Sequence, residues 1–165
     1  MNDRDTFLQN VEASQGVIRR LCLIYRDSAH DREDLFQEIL VQLWKSWPRY
    51  RGDSEFSTWL YRIALSTAVA SYRSPRRRFW QKRQPIEVDP IQRSNDSEAL
   101  CEERTQLLMA ISKLSAVEKS FVALFLDGFD HTQISQVLGM TPSAARVRLY
   151  RIKERLKSLT QEETQ

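Results

Sequence analysis

Apolar residues return every three to four positions along most of this chain, and no β-branched alternating run reaches strand length. That spacing dictates helices and excludes a sheet, so the predicted fold class is all-α. Only 4 glycines and 5 prolines interrupt the 165 residues. The length allows one domain or two small ones. Hydrophobic content of 41% beside 28% charged residues fits a globular protein rather than a disordered one.

Phe7, Val11, Val17, Ile18, Leu21 and Ile24 predict one or two packing helices between about Thr6 and Arg26. A polar break, Asp27 to Asp31, follows, and Asp31 is suited to cap the next helix. From Arg32 to Trp47, Leu35, Phe36, Ile39, Leu40, Leu43 and Trp47 make a wide apolar face. Asp34, Gln37, Glu38, Val41, Gln42 and Lys45 fall on the other side. Pro48 ends that helix, and Arg49, Tyr50 and Arg51 precede Gly52, which permits a left-handed turn. Ser54 or Ser57 is placed to cap a helix through about Tyr72, with Trp59, Leu60, Ile63, Ala64, Thr67 and Ala68 inward. Arg62, Ser66 and Arg73 look outward, and Pro75 stops the helix.

Charge is unevenly spread. Arg49 to Arg83 carries nine Arg/Lys against two acids, Gln84 to Leu107 six acids against two Arg, and Thr141 to Thr160 six Arg/Lys against one Glu. Two basic blocks with an acidic spacer between them point to two contacts with a polyanion. The spacer holds Pro85 and Pro90 and has no helical stripe until about Glu98, which is the composition of an extended linker.

Beyond it, Leu100, Leu107, Leu108, Ile111 and Leu114 restore the helical period, and Ser115 with Glu118 has the spacing of a capping box. Asp127-Gly128 reads as a turn. In DHTQISQVLGMTPSAARVRLYRIKERL, Asp130 to Leu156, a short helix with Ile134, Val137 and Leu138 ends at Gly139. Thr141 caps a second helix with Pro142 in its first turn. Ala145, Leu149, Ile152 and Leu156 face inward, leaving Arg146, Arg148, Arg151, Lys153 and Arg155 outside. Such a helix-turn-helix sets its second helix in the major groove. Ser143, Arg146, Val147 and Tyr150 are the candidate base readers, with Arg148, Arg151 and Lys153 nearer the phosphates.

Taken together, DLFQEILVQLWKSWPRYRGDSEFSTWLYRIA (Asp34 to Ala64) and the helix-turn-helix half resemble a bacterial RNA polymerase sigma factor of the extracytoplasmic-function (ECF) type. The resemblance implies two small helical domains: residues 1–80 (region 2), a flexible linker at 81–103, and residues 104–160 (region 4). It implies binding to core RNA polymerase through Asp34, Gln37, Glu38 and Gln42, with Trp44 a neighbour. It implies capture of a base flipped from the minus-ten element by Arg49, Tyr50 and Arg51, and a melted strand along Trp59, Tyr61, Arg62, Ser66 and Arg73. Region 4 would read the duplex at the minus-thirty-five element through Ser143, Arg146, Val147, Arg148, Tyr150 and Arg151. Two positions depart from many relatives. Ser66 stands where Asn is frequent, and Val147 stands where Ser or Thr is frequent, so the promoter sequence is left open. The family further implies a monomer when free, and an anti-sigma factor as a usual partner, although the chain itself displays no site for one.

Two other classes fit less of the chain. A stand-alone DNA-binding regulator using Thr141 to Lys157 leaves the acid-fronted helix and the Arg49–Arg83 block unexplained. A hydrolase on His30, Asp31, Glu33 and Asp34 has no second ligand set elsewhere in the sequence. Cys22, Cys101, His30 and His131 lack metal-ligand spacing, so neither a metal nor another cofactor is expected. The polar start MNDRDTFLQN and the lack of a long apolar run predict a cytoplasmic protein without membrane insertion.

Overall fold

Every regular element among the described residues, 3–73 and 98–162 of this computed structural model, is helical. They are α1 (Asp3–Tyr25), α2 (Ala29–Ser46), a 3₁₀ turn (Trp47–Arg49), α3 (Phe56–Arg73), α4 (Glu98–Ser112), α5 (Ala116–Leu126), α6 (His131–Leu138) and α7 (Pro142–Glu162). The acidic spacer and the arginines preceding it lie outside the described residues, as do the side chains of Arg73 and Cys101. Because α4 begins at Glu98, where the apolar period resumes, residues 98–103 belong to a helix rather than to the spacer.

Helices α1, α2 and α3 pack through one stripe each. Ile18, Leu21, Cys22 and Tyr25 of α1 meet Leu35, Ile39 and Leu43 of α2, and Leu60, Ala64 and Ala68 of α3, all nearly inaccessible to water. Each fully buried Leu or Ile contributes about 1.5–3 kcal/mol, and the two alanines of α3 let the backbones approach.

The start of α2 differs from expectation. Ser28, not Asp31, is the cap: its backbone is extended, its Oγ accepts from the Asp31 amide at 3.1 Å and donates to the Asp31 carboxylate at 2.8 Å. Asp31 supports that cap from the third helical position. Pro48 stops α2 as expected, and the chain continues as the 3₁₀ turn, closed by the Tyr50 amide on the Trp47 carbonyl at 2.9 Å. Helix α3 starts at Phe56, with Trp59 donating to the Glu55 carbonyl, so Ser57 lies inside the helix and Ser54 precedes its cap position.

In the second half the caps stand where the sequence put them. Ser115 and Glu118 form a reciprocal capping box, and Gly139 takes the left-handed conformation at φ 67°. Thr141 accepts from the Ala144 amide at 3.2 Å. Asp130 and Gln133 make a second capping box, which fixes the entry to α6.

The two halves share one core. The Tyr25 hydroxyl at the end of α1 lies 2.7 Å from the Ala116 carbonyl and 2.7 Å from Ser120 Oγ, both in α5. Arg20 Nε donates to Asp127 at 2.8 Å, and the Tyr61 and Phe129 rings meet edge to face at 5.0 Å. Lys119 of α5 is 2% exposed, its ammonium 4.8 Å from the centre of the Tyr72 ring.

Burial pushes the Lys119 ammonium from 10.5 down to about 8, with Asp27 opposing the shift and Arg26 adding to it. Below pH 8 this lysine is protonated in both folded and unfolded chains, and its desolvation opposes folding in full. Between pH 8 and 10.5 the folded chain has released a proton that the unfolded chain retains, so the lysine's destabilising effect fades as pH rises. Lys119→Met is therefore expected to be more stable than the parent by roughly 2 kcal/mol at pH 7, after loss of the ring contact. In paired urea titrations that advantage should shrink between pH 8 and 10.5; a constant difference would show that the lysine is not desolvated.

Candidate nucleic-acid and partner interfaces

The outward face of α2 holds Asp34, Gln37, Val41 and Trp44, all exposed and spaced to form one stripe along the helix. Val41 and Trp44 are each 48% exposed, an unusual amount of apolar surface beside a carboxylate and an amide. Trp44 is held in place by the edge of the Phe7 ring at 5.0 Å. Asp34 lies 3.6 Å from His30 one turn earlier, and Glu33 pairs with Arg19 at 3.5 Å. These surface pairs and the Ser28 cap account for the acids grouped at the start of α2. Among the described residues no cluster of three or more His, Cys, Asp or Glu side chains forms a metal site.

Glu38 and Gln42 differ from that face, for both are only half-exposed. Glu38 accepts from the Ser71 hydroxyl at 3.1 Å, and Ser71 in turn accepts from the buried Arg26 guanidinium at 2.9 Å. Arg26 also donates to the Tyr25 carbonyl, while Arg32 binds the Arg26 and Asp27 carbonyls. Sequence reasoning missed this network. Its one signal is that Arg26 continues the Ile18–Cys22 stripe at the next interval of four, where solvent exposure was not to be expected.

After α2, Trp47, Tyr50, Phe56 and Trp59 gather into an aromatic wall. Tyr50 stacks on Trp47 at 5.5 Å and 28°, lies 4.9 Å from Trp59, and donates its hydroxyl to the Ser54 carbonyl at 3.1 Å. Tyr50 is thus half-buried within the wall, and the exposed Arg49 and Arg51 flank it. Trp59 packs in the same wall, half-buried. Gly52, at φ 76°, turns the chain away beyond the two arginines.

Along α3, Arg62 and Ser66 are exposed and Tyr61 is buried. The Ser66 hydroxyl donates to the Ile63 carbonyl of its own helix at 2.9 Å. Arg62 Nη2 donates to the Gln136 carbonyl of α6 at 2.8 Å. On α7, Ser143, Arg146, Val147, Arg148, Tyr150 and Arg151 are all exposed, and Tyr150 is 66% exposed. Lys153 and Arg155 are engaged: the Lys153 ammonium sits 3.7 Å from the Phe125 ring centre, and Arg155 pairs with Glu118 at 2.7 Å. The free cations of the recognition helix are therefore concentrated toward its start.

An all-helical region with an acid-and-tryptophan stripe and an arginine-flanked aromatic wall, followed by a helix-turn-helix with an arginine-rich recognition helix, defines a transcription initiation factor. The Sigma-70 region 2 family model matches residues 11–78, and the Sigma-70, region 4 model matches residues 104–156. The chain belongs to the sigma-70 family of RNA polymerase sigma factors, and to its ECF type. It is 28% identical over 150 residues to the ECF RNA polymerase sigma-E factor of Escherichia coli K12, a match covering 79% of this chain and 74% of that one. It is 36% identical over 75 residues to the ECF RNA polymerase sigma factor SigG of Mycobacterium tuberculosis, covering 46% of this chain but 20% of SigG. Among solved structures, the sigma factor RpoE in complex with the anti-sigma factor NepR from Bartonella quintana matches with a TM-score of 0.75 at 19% identity, covering 94% of this chain and 97% of that one. CnrH in complex with the cytosolic domain of CnrY matches with a TM-score of 0.69 at 19% identity, covering 96% and 90% respectively. At that identity the likeness is one of fold.

Glu38 and Asp34 are separable by stability alone. Glu38→Ala should cost about 1–2 kcal/mol because it leaves the buried Ser71 hydroxyl, which accepts from Arg26, without its own acceptor. Asp34→Ala should stay within about 0.5 kcal/mol of the parent. Chemical denaturation of both variants checks this, and equal losses would refute the Glu38–Ser71–Arg26 chain.

Proposed function

We propose that this chain is a specificity subunit that binds core RNA polymerase, recognises promoter DNA through both basic faces, and supports melting without catalysing a reaction of its own. The observation carrying the reading is the presence, in one chain, of region 2 with a solvent-facing docking stripe and region 4 with a free arginine-rich recognition helix. No helix among the described residues is long and apolar enough to cross a membrane. A cytoplasmic location, where the polymerase and the DNA are, follows from this reading.

In this reading Asp34, Gln37, Val41 and Trp44 meet the polymerase, with Glu38 and Gln42 at the margin of the contact. A carboxylate beside apolar surface suits an interface that pairs with a cation while excluding water from its centre. Arg49 and Arg51 hold the backbone of the separated strand while a base packs on the edge of the aromatic wall around Tyr50. Stacking of this kind contributes roughly 1–3 kcal/mol per base. Captured bases offset the stacking lost when the duplex opens, so hydrolysis is not required. Arg62, Ser66 and Arg73 continue the strand path along α3. Ser143, Arg146, Val147 and Tyr150 read the upstream duplex while Arg148 and Arg151 hold its phosphates. An anti-sigma factor that blocks either face is the regulatory partner this reading favours.

Asp34→Arg should weaken core polymerase binding at least tenfold in a direct titration while leaving the melting temperature unchanged; unaltered affinity would remove α2 as the docking helix. Arg146→Ala should cost roughly 1–3 kcal/mol at one base pair of the upstream element. A uniform loss on every duplex would make Arg146 a phosphate contact instead.

A further inference from the structure

The outer face of α7 is cationic or polar at most positions, yet Val147 stands 43% exposed in its second turn. Ser143 and Arg151 lie one turn before and after it, Arg146 and Arg148 flank it, and all four are exposed. The residues that seat α7 against the rest of the domain, Ala145 and Ile152, are buried. At about 100° per residue they fall on the opposite side of the helix from Val147. This valine therefore has no share in the core, and it faces the direction in which a helix-turn-helix meets its duplex.

Nothing in the free chain rewards an exposed valine at that position. It is a weaker helix former than arginine or lysine, because its branched side chain loses rotamer freedom against the preceding turn. The same stiffness is useful at an interface. In a helix valine holds one strongly preferred rotamer, so its two methyl groups are aimed before a partner arrives and little further freedom is lost on contact. The side chain carries no hydrogen-bonding group, so it cannot pair with the donors and acceptors of a base edge. The apolar group that the major groove does offer is the C5-methyl of thymine.

We propose that Val147 is a specificity-determining residue whose methyl groups close on the C5-methyl of one thymine in the upstream duplex. It rests on the reading of α7 as the helix that recognises that duplex, and it names the base one of its residues selects. Selection works in two directions. Thymine gains an apolar contact, while the polar edge of cytosine, guanine or adenine loses its water beneath an apolar cover that supplies no replacement hydrogen bond.

The test uses the full chain assembled with core polymerase and a pool of duplexes of random sequence, from which the parent and Val147→Ser each select binders. Duplexes held by the parent should share one upstream thymine that the Val147→Ser pool does not retain. In the duplex the parent enriches most, deoxyuridine in place of that thymidine removes the methyl and leaves every hydrogen-bonding group intact. Parent affinity should then fall roughly fourfold, the effect of withdrawing one methyl from apolar contact. Val147→Ser should bind the two duplexes equally. At the same position 5-methyldeoxycytidine should bind the parent more tightly than deoxycytidine, again only when Val147 is present.

Equal parent affinity for thymine and uracil at every upstream position would overturn the methyl contact. A uracil penalty of the same size in Val147→Ser would assign the methyl to another side chain and overturn the role of Val147. Arg146→Ala, put through the same selection, separates either failure from that of the underlying reading. An altered base preference in that variant would keep α7 as the reading helix and reject only the part given to Val147. Unaltered selection by both variants would reject α7 as the reader of the upstream duplex.

Discussion

Both halves of the molecule lean on the last two turns of α1. Ile18, Leu21 and Cys22 fill the space between α2 and α3, and Tyr25, one step along the same stripe, reaches across to the first turn of α5. Arg26 ties the end of the helix to Ser71 of α3 and, through it, to Glu38 of α2. One helix terminus thus sets the angle of α2, the depth of α3 and the seat of the second half. A buried guanidinium is tolerable there because carbonyl and hydroxyl oxygens replace its water. Tyr25 has an analogous arrangement, with its ring packed in apolar surroundings and its hydroxyl donating to the Ala116 carbonyl in the first turn of α5, beside Ser120 Oγ.

The legible parts of the fold were those set by local chemistry. Ser115 with Glu118, Gly139 with Thr141 and Pro142, and the resumption of apolar spacing at Glu98 each act within a turn of helix, so neighbouring residues suffice to read them. The cap of α2 was misplaced because Ser28 and Asp31 both have capping side chains and three residues separate them; the geometry uses both, with Ser28 as the cap. Neither the Tyr25–Ala116 contact nor the Arg20–Asp127 pair could be read, since residues about a hundred positions apart leave no mark on periodicity. Arg26, Arg32 and Lys119 went unnoticed for a related reason. Charge alone assigns a side chain to solvent, and only a partner's position reverses that assignment.

The candidate interfaces divide in the same way. On α7 the six proposed DNA contacts are exposed, because an arginine-rich face opposite Ala145 and Ile152 has nowhere else to go. On α2 the outer face was drawn too broadly. Asp34 and Gln37 lie at its centre, whereas Glu38 and Gln42 border the groove against neighbouring helices, where a shift of one residue turns a side chain by about 100°. Tyr50 lies in the loop after α2, and its ring is half-buried among its aromatic neighbours. Four aromatic residues within thirteen positions prefer each other's rings to water, and the arginines beside them remain the accessible groups.

The meeting surface of the halves resembles a transient interface more than a domain core. Interfaces that must separate carry more polar groups than permanent ones, since those groups are solvated at little cost after separation. A buried tyrosine hydroxyl without a partner and a lysine under an aromatic ring would weaken a permanent core for no return. In a surface that opens, both would narrow the free-energy gap between closed and open forms. The salt bridge at its rim is half-solvated on the arginine side and nearly buried on the aspartate side, and it joins the Phe129 contact and the Tyr25 hydroxyl in holding the halves together.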